Sequence, residues 1–199
     1  MTADLLNLLE DTIRRATKAG ADAADALAYD SQSLSVARRL DKPERLERSE
    51  SRDLGLRVFI GKRQAMVSTS ERTPEALAEL VERAVAMARA VPEDPHCGLA
   101  DPSQLAHDWS DYELADAVEP SVDTLIAHAS EAEAAAVAVK GVTNSEGAEA
   151  GWGRSDIALV ASNGFAASYA RTSHSLSVSV LAGEGTGMER DYEIGRAHV

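Results

Sequence analysis

Cysteine, long apolar runs and basic residues are all scarce in this sequence, and each shortage narrows what the chain can be. The single cysteine, Cys97, excludes an internal disulfide framework and fits a reducing compartment. No run approaches the ~20 apolar residues that a membrane-spanning helix needs. The opening stretch Met1 to Asp11 is acidic and helical in pattern, without the basic and apolar regions of a secretion signal. The expectation is therefore a cytoplasmic protein. Lys and Arg number 20 against 33 Asp and Glu, a formal net charge of −13. A surface with that balance argues against general nucleic-acid binding, because phosphate contacts need a basic face. The balance is uneven: nine of the 20 basic residues lie between Arg38 and Arg63, against five acids. Such a stretch suits a strand pair with solvated charged faces, with a local anionic partner as the alternative.

What is present is ordinary globular material, 44% hydrophobic and 27% charged in 199 residues, enough for one large domain or two small ones. Leu5, Leu6, Leu9, Ile13 and Ala16 form one stripe of a helix from Asp4 to Lys18. Gly20 suits its C-terminal cap. The period then changes to two. Ala26–Val36, Leu54–Ile60 and Gln64–Ser70 predict a β-meander, with Gly61-Lys62 as a tight turn. Thr73-Pro74 predicts a capped helix start, with Leu77, Leu80, Val81, Ala84, Ala88 and Val91 as the buried stripe, ended by Pro92. Pro92 to Pro120 predicts an ordered connector with apolar anchors at Leu99, Leu105, Trp109 and Tyr112. A third helix spans Ser121 to Val139, with Val122, Leu125, Ala129, Ala132 and Ala136 on one face and Gly141 as its stop. Four strands follow: Val142–Trp152, Asp156–Ser162, Phe165–Thr172 and Ser173–Ala182. Asn163-Gly164 predicts a type I′ turn. The fold class is α+β, with helices packed on mainly antiparallel, meander-type β-sheets in two small units. The expected division is 1–92, a connector 93–120, and a second unit 121–192.

The chemical motifs are weak. Gly61-Lys62 lacks the G-x-x-x-x-G-K spacing of a phosphate loop, since Ile60 stands where the second glycine belongs. Gly183, Gly185 and Gly187 are not followed by an apolar helix and read as a flexible hairpin loop. No H-E-x-x-H exists around His128, where Glu131 and Glu133 read as a solvated helix face. His96, Cys97 and His107 match no known ligand spacing and lack a fourth ligand. A hydrolase serine has no elbow motif. His174 shares a strand face with Leu176, Val178 and Val180 and reads as structural. Ser175, Ser177 and Ser179 form a small polar face suited to an interface or a peptide-binding sheet. No catalytic, cofactor-binding or metal-binding residue is expected in this chain.

Five short motifs in register carry a resemblance. They are Asp94-Pro95-His96-Cys97-Gly98-Leu99-Ala100-Asp101, Thr143-Asn144-Ser145-Glu146-Gly147-Ala148, Ser162-Asn163-Gly164-Phe165, Arg171-Thr172-Ser173-His174-Ser175-Leu176-Ser177 and Met188-Glu189-Arg190-Asp191-Tyr192. Together, from about Asp11 to Tyr192, they resemble the PmbA/TldE branch of the TldD/PmbA family, once called modulators of DNA gyrase. The resemblance implies a cytoplasmic, non-catalytic subunit that pairs with a TldD-like protein in a zinc metallopeptidase cutting unfolded or extended peptides. It places the zinc ligands, an H-E-x-x-x-H helix and a further cysteine, in the TldD partner. It also implies a C-terminal domain that this sequence lacks. The last seven residues, Glu193 to Val199, are what one frame of the common sequencing adapter GAGATCGGAAGAGCACACGTC encodes, so the authentic sequence is expected to diverge after Tyr192. Two other readings stand beside this one: a stand-alone protein- or peptide-binding modulator without proteolysis, and an autonomous enzyme using His96, Cys97 and His107.

Overall fold

A computed structural model describes residues 2–106 and 112–198. Helix α1 (Thr2–Lys18) buries Leu5, Leu9, Ile13 and Ala16, one residue per turn along a single stripe. It ends as its sequence demands. Gly20 takes φ +106°, and the Gly20 and Ala21 N–H groups donate to the Thr17 and Ala16 carbonyls. These two bonds are a Schellman cap, and glycine is the residue that makes it without strain.

Strands β1 (Ala23–Arg39), β2 (Lys42–Ile60) and β3 (Arg63–Thr69) then form the expected meander. β2 and β3 pair antiparallel from Leu54↔Thr69 to Ile60↔Arg63. Asp22 fastens the turn between them by accepting the Gly61 N–H at 2.7 Å. Helix α2 (Pro74–Ala90) starts at Thr73, whose hydroxyl accepts from the Ala76 N–H at 3.2 Å. Val91 lies beyond the buried stripe, as the C-cap. Thr73→Ala removes this side-chain cap, and urea unfolding should show a loss of about 1 kcal/mol. Helix α3 (Val122–Val137) has Ser121 as N-cap, accepting from the Thr124 N–H at 3.1 Å.

The last three strands are β4 (Val142–Ala161), β5 (Ala166–Ala182) and β6 (Glu189–His198). The fold is α+β as expected, but the strands join one six-stranded antiparallel sheet in the order β3-β2-β1-β4-β5-β6. The four strands expected between Val142 and Ala182 are two long ones. Trp152 and Asp156 lie in one continuous strand, as do Thr172 and Ser173. The turn at Asn163-Gly164 also differs. Only Gly164 has positive φ, and its N–H donates to the Ala161 carbonyl, which makes Ser162 and Asn163 the central pair. This is the three-residue hairpin loop with a trailing glycine, not a type I′ turn.

The chain gathers into two compact units made of interleaved segments. One contains Met1–Ser31, Ser51–Asp111 and Asp156–Ala170; the other contains Gln32–Glu50, Tyr112–Ser155 and Arg171–Val199. In the first, Leu9, Leu54, Leu56, Val58, Leu80 and Ala84 are at the centre of a core that α1, α2 and the strands share, joined by Ala158 and Val160 from β4. In the second, Leu125 and Ala129 of α3 pack on Leu34, Val36, Ala148, Ala150 and Trp152. The stretch of β2 from Lys42 to Asp53 is exposed throughout. Two of its three arginines are paired, Arg45 with Glu149 and Arg48 with Glu119. Nearby, Arg38 pairs with Asp41, Arg57 with Asp25 and Arg63 with Glu93. Five of the nine basic residues of this run are thus held in ion pairs. No helix among the described residues is long and apolar enough to cross a membrane.

Candidate functional site: a charged cleft in the second unit

β1 and β2 are joined by two residues, Leu40 and Asp41, both in the left-handed region at φ +49° and +62°. That is the backbone of a hairpin turn that normally takes Asn-Gly, and a leucine there is strained by about 1–2 kcal/mol. The strain is offset from α3. The Glu133 carboxylate accepts the Leu40 N–H at 2.8 Å and the Asp41 N–H at 3.3 Å, one on each oxygen. The Ser145 hydroxyl donates to the same carboxylate, while its oxygen accepts the Gly147 N–H at 2.9 Å. Arg38 donates to the Asp41 carbonyl and carboxylate, and Arg39 to the Ser145 carbonyl.

Glu133 is only 5% exposed. The solvated face expected for it is therefore wrong, although Glu131 is exposed as expected. Burial pushes its carboxyl upward. The hydrogen bonds from Ser145, Leu40 and Asp41, with the charge of Arg38, outweigh burial and hold it below its usual 4.5. The signal that could have found it is its spacing. Glu133 continues the Leu125–Ala129 row at four-residue steps, so it sits on the packed face of α3.

Beside this network lies an open cleft of about 630 Å³, with Gly147, Ser177 and Ser179 along its strands and Arg38, Glu146 and Tyr192 around it. The Ser179 hydroxyl donates to Glu146 at 2.7 Å and Arg190 reaches the same carboxylate at 2.5 Å. Arg45 meets Glu149 at 2.7 Å across the same space. These partners are exposed, so each pair is worth at most about 1 kcal/mol and can open to an incoming charge. Two of the three residues of the expected serine face, Ser177 and Ser179, thus line a cleft. Ser175 lies against the strands instead, 2.8 Å from where a Cβ on Gly151 would be. On the alternate face of β5, His174 and Val180 are half-buried, Leu176 is 37% exposed and Val178 packs on the second core.

The connector residues are placed by polar links more than by apolar anchors. Leu99 and Leu105 are half-buried, but Tyr112 is 69% exposed, and Trp109 is outside the described residues. Asn163 donates to the Ala100 carbonyl at 2.9 Å in the first unit. In the second, the Thr172 N–H donates to the Leu114 carbonyl and the Thr172 hydroxyl accepts the Asp116 N–H. His96 is exposed, Cys97 is buried, and His107 is outside the described residues. Among the described residues no group of three His, Cys, Asp or Glu side chains could hold a metal ion. The Gly183–Gly187 segment is the hairpin loop between β5 and β6.

The family model for PmbA/TldA metallopeptidase domain 1 matches residues 24–88, and that for the PmbA/TldA metallopeptidase central domain matches residues 115–197. Metalloprotease PmbA of Escherichia coli O157:H7 is 34% identical over 196 residues, 96% of this chain and 44% of that protein. A metalloprotease PmbA homolog of Haemophilus influenzae is 35% identical over 191 residues, 96% of this chain and 42% of that protein. Among solved structures, a protein from Bacteroides thetaiotaomicron described as a modulator of DNA gyrase superposes with TM-score 0.87 at 26% identity, covering 96% of this chain and 44% of that one. TldE from Thermococcus kodakarensis shares the fold, with TM-score 0.79 at 18% identity over 96% of this chain and 43% of that one. The chain spans less than half the length of each of these relatives. By both of its matched segments, the chain belongs to the PmbA/TldD metallopeptidase family.

Proposed function

We propose that this chain is part of a non-catalytic subunit of a two-subunit zinc metallopeptidase of the cytoplasm. In this reading it supplies scaffold and interface, while a TldD-like partner carries the metal and cuts unfolded or extended peptides. The family supports the peptidase half of the reading. The observation that carries the rest is the cleft. It has serines two residues apart on β5 and ion pairs of low cost at its rim. An extended chain presents its side chains at the same two-residue spacing, so it can lie along such a surface.

The test is reconstitution. The chain, extended to the length of its relatives, is mixed with a TldD-type protein, and zinc content and cleavage of an unstructured peptide are measured. Activity that appears or rises only in the mixture is the expected result. Unchanged activity on mixing, or cleavage by this protein alone, would overturn the reading. Peptide binding without cleavage in any mixture would favour a stand-alone binding modulator.

A further inference from the structure

We propose that Glu133 is a conformational latch: it holds the Leu40–Asp41 turn in a strained shape and, through Ser145 and Gly147, fixes one end of the neighbouring cleft. Leucine is among the residues least suited to positive φ, and Leu40 is 53% exposed, so packing does not compensate its strain. What compensates is a single carboxylate. Successive backbone N–H groups in a turn conformation can converge on one anion, and here both N–H groups of the turn meet Glu133. The demand on the side chain is strict. Both oxygens must be acceptors, since Oε1 takes the Leu40 N–H and the Ser145 hydroxyl and Oε2 takes the Asp41 N–H. An amide would turn one acceptor into a donor facing a donor.

The latch reaches the cleft by two short steps. Ser145, held by Glu133, accepts the Gly147 N–H. The Arg38 carbonyl, two residues before the turn, approaches Gly147 so closely that a Cβ there would lie 2.8 Å away. Arg38 and Gly147 both line the cleft. Releasing the turn therefore frees Arg38 to move off Gly147 and changes the cleft at that end. The latch stands whatever the cleft receives, so its test uses no peptide and no partner.

The experiment is amide hydrogen exchange, read residue by residue on the whole chain. Glu133→Gln should speed exchange at Leu40 and Asp41 at least about tenfold. The Gly61 N–H, held by Asp22 in the other unit, should be unchanged and serves as the control. Adding Leu40→Asn, which accepts positive φ far better than leucine, should bring the Asp41 amide back to within about threefold of the unsubstituted protein. A Glu133 that merely fills space would show no such rescue. Uniform exchange changes, or an Asp41 amide that stays fast with Leu40→Asn present, would overturn the latch. Should Glu133→Gln fail to fold, Leu40→Asn alone decides: slower exchange at Asp41 with a higher Tm supports the latch, and an unchanged or lower Tm overturns it.

Discussion

Glu133→Ala is expected to cost about 2–4 kcal/mol of stability, measured by urea unfolding at neutral pH. The substitution leaves the Leu40 and Asp41 N–H groups and the Ser145 hydroxyl without their acceptor, and it removes the negative charge beside the largely buried Arg38. Each orphaned donor costs about 1–3 kcal/mol when fully buried, less here because the turn is partly solvated. The loss should also depend on pH. Glu133 titrates below its ordinary 4.5 in the folded chain, so the unfolded state binds the proton more readily. Its stabilisation is complete above about pH 5 and fades as pH falls through the folded value. The gap between the two proteins should therefore be flat near neutrality and narrow on acidification. A gap that widened in acid would mean that burial, not the hydrogen bonds, dominates this carboxyl.

Two glycines should respond to alanine very differently. Gly147 has φ +110°, and the new Cβ would sit 2.8 Å from the Arg38 backbone oxygen, which cannot swing aside like the end of a long side chain. The backbone strain and the overlap together predict a loss of about 2–4 kcal/mol. Gly55, in β2, has no atom within 4 Å of its added Cβ and no positive φ. Gly55→Ala should be neutral or stabilise by up to about 1 kcal/mol, because it narrows the unfolded ensemble. Thermal melts of both variants check this pair, and equal effects would mean that the close approach at Gly147 is relieved by movement of β1.

The helices were legible because each carries its own signals. The Leu5–Leu9–Ile13–Ala16 stripe, the Thr73 and Ser121 caps and the Gly20 stop depend on neighbours within about five residues, and all three helices follow them. The strands were less so. β1 buries Ala24, Ala26 and Ala28 in one core and Leu34 and Val36 in another, with exposed or half-buried residues between. β4 and β5 likewise serve both units, and a local reading splits them where the core changes. The Leu40–Asp41 turn had no signature at all, because its conformation is imposed by a carboxylate 93 positions away. Glu133 itself was misjudged by residue type, since an unpaired acid at a packed helix position is rare. The serine row on β5 was visible by alternation, yet the acids and arginines around it come from β1, β2, β4 and β6, and only the fold assembles them.

Sharing strands between units has a consequence for how the chain is made. The first unit has its helices and meander by Ala90, but its sheet also needs the segment Asp156–Ala170, whose Ser162 hydroxyl accepts the Ala24 N–H across 138 positions. The roughly 80 residues from Val91 to Ala170 take roughly 4–16 s to synthesise at ribosomal rates. During that interval β1 has its open side exposed on a nascent chain, and an unpaired strand edge is a template for wrong pairing. The exposed charges of Lys42–Asp53 and the alanine-rich, weakly adhesive start of β1 are well suited to that wait.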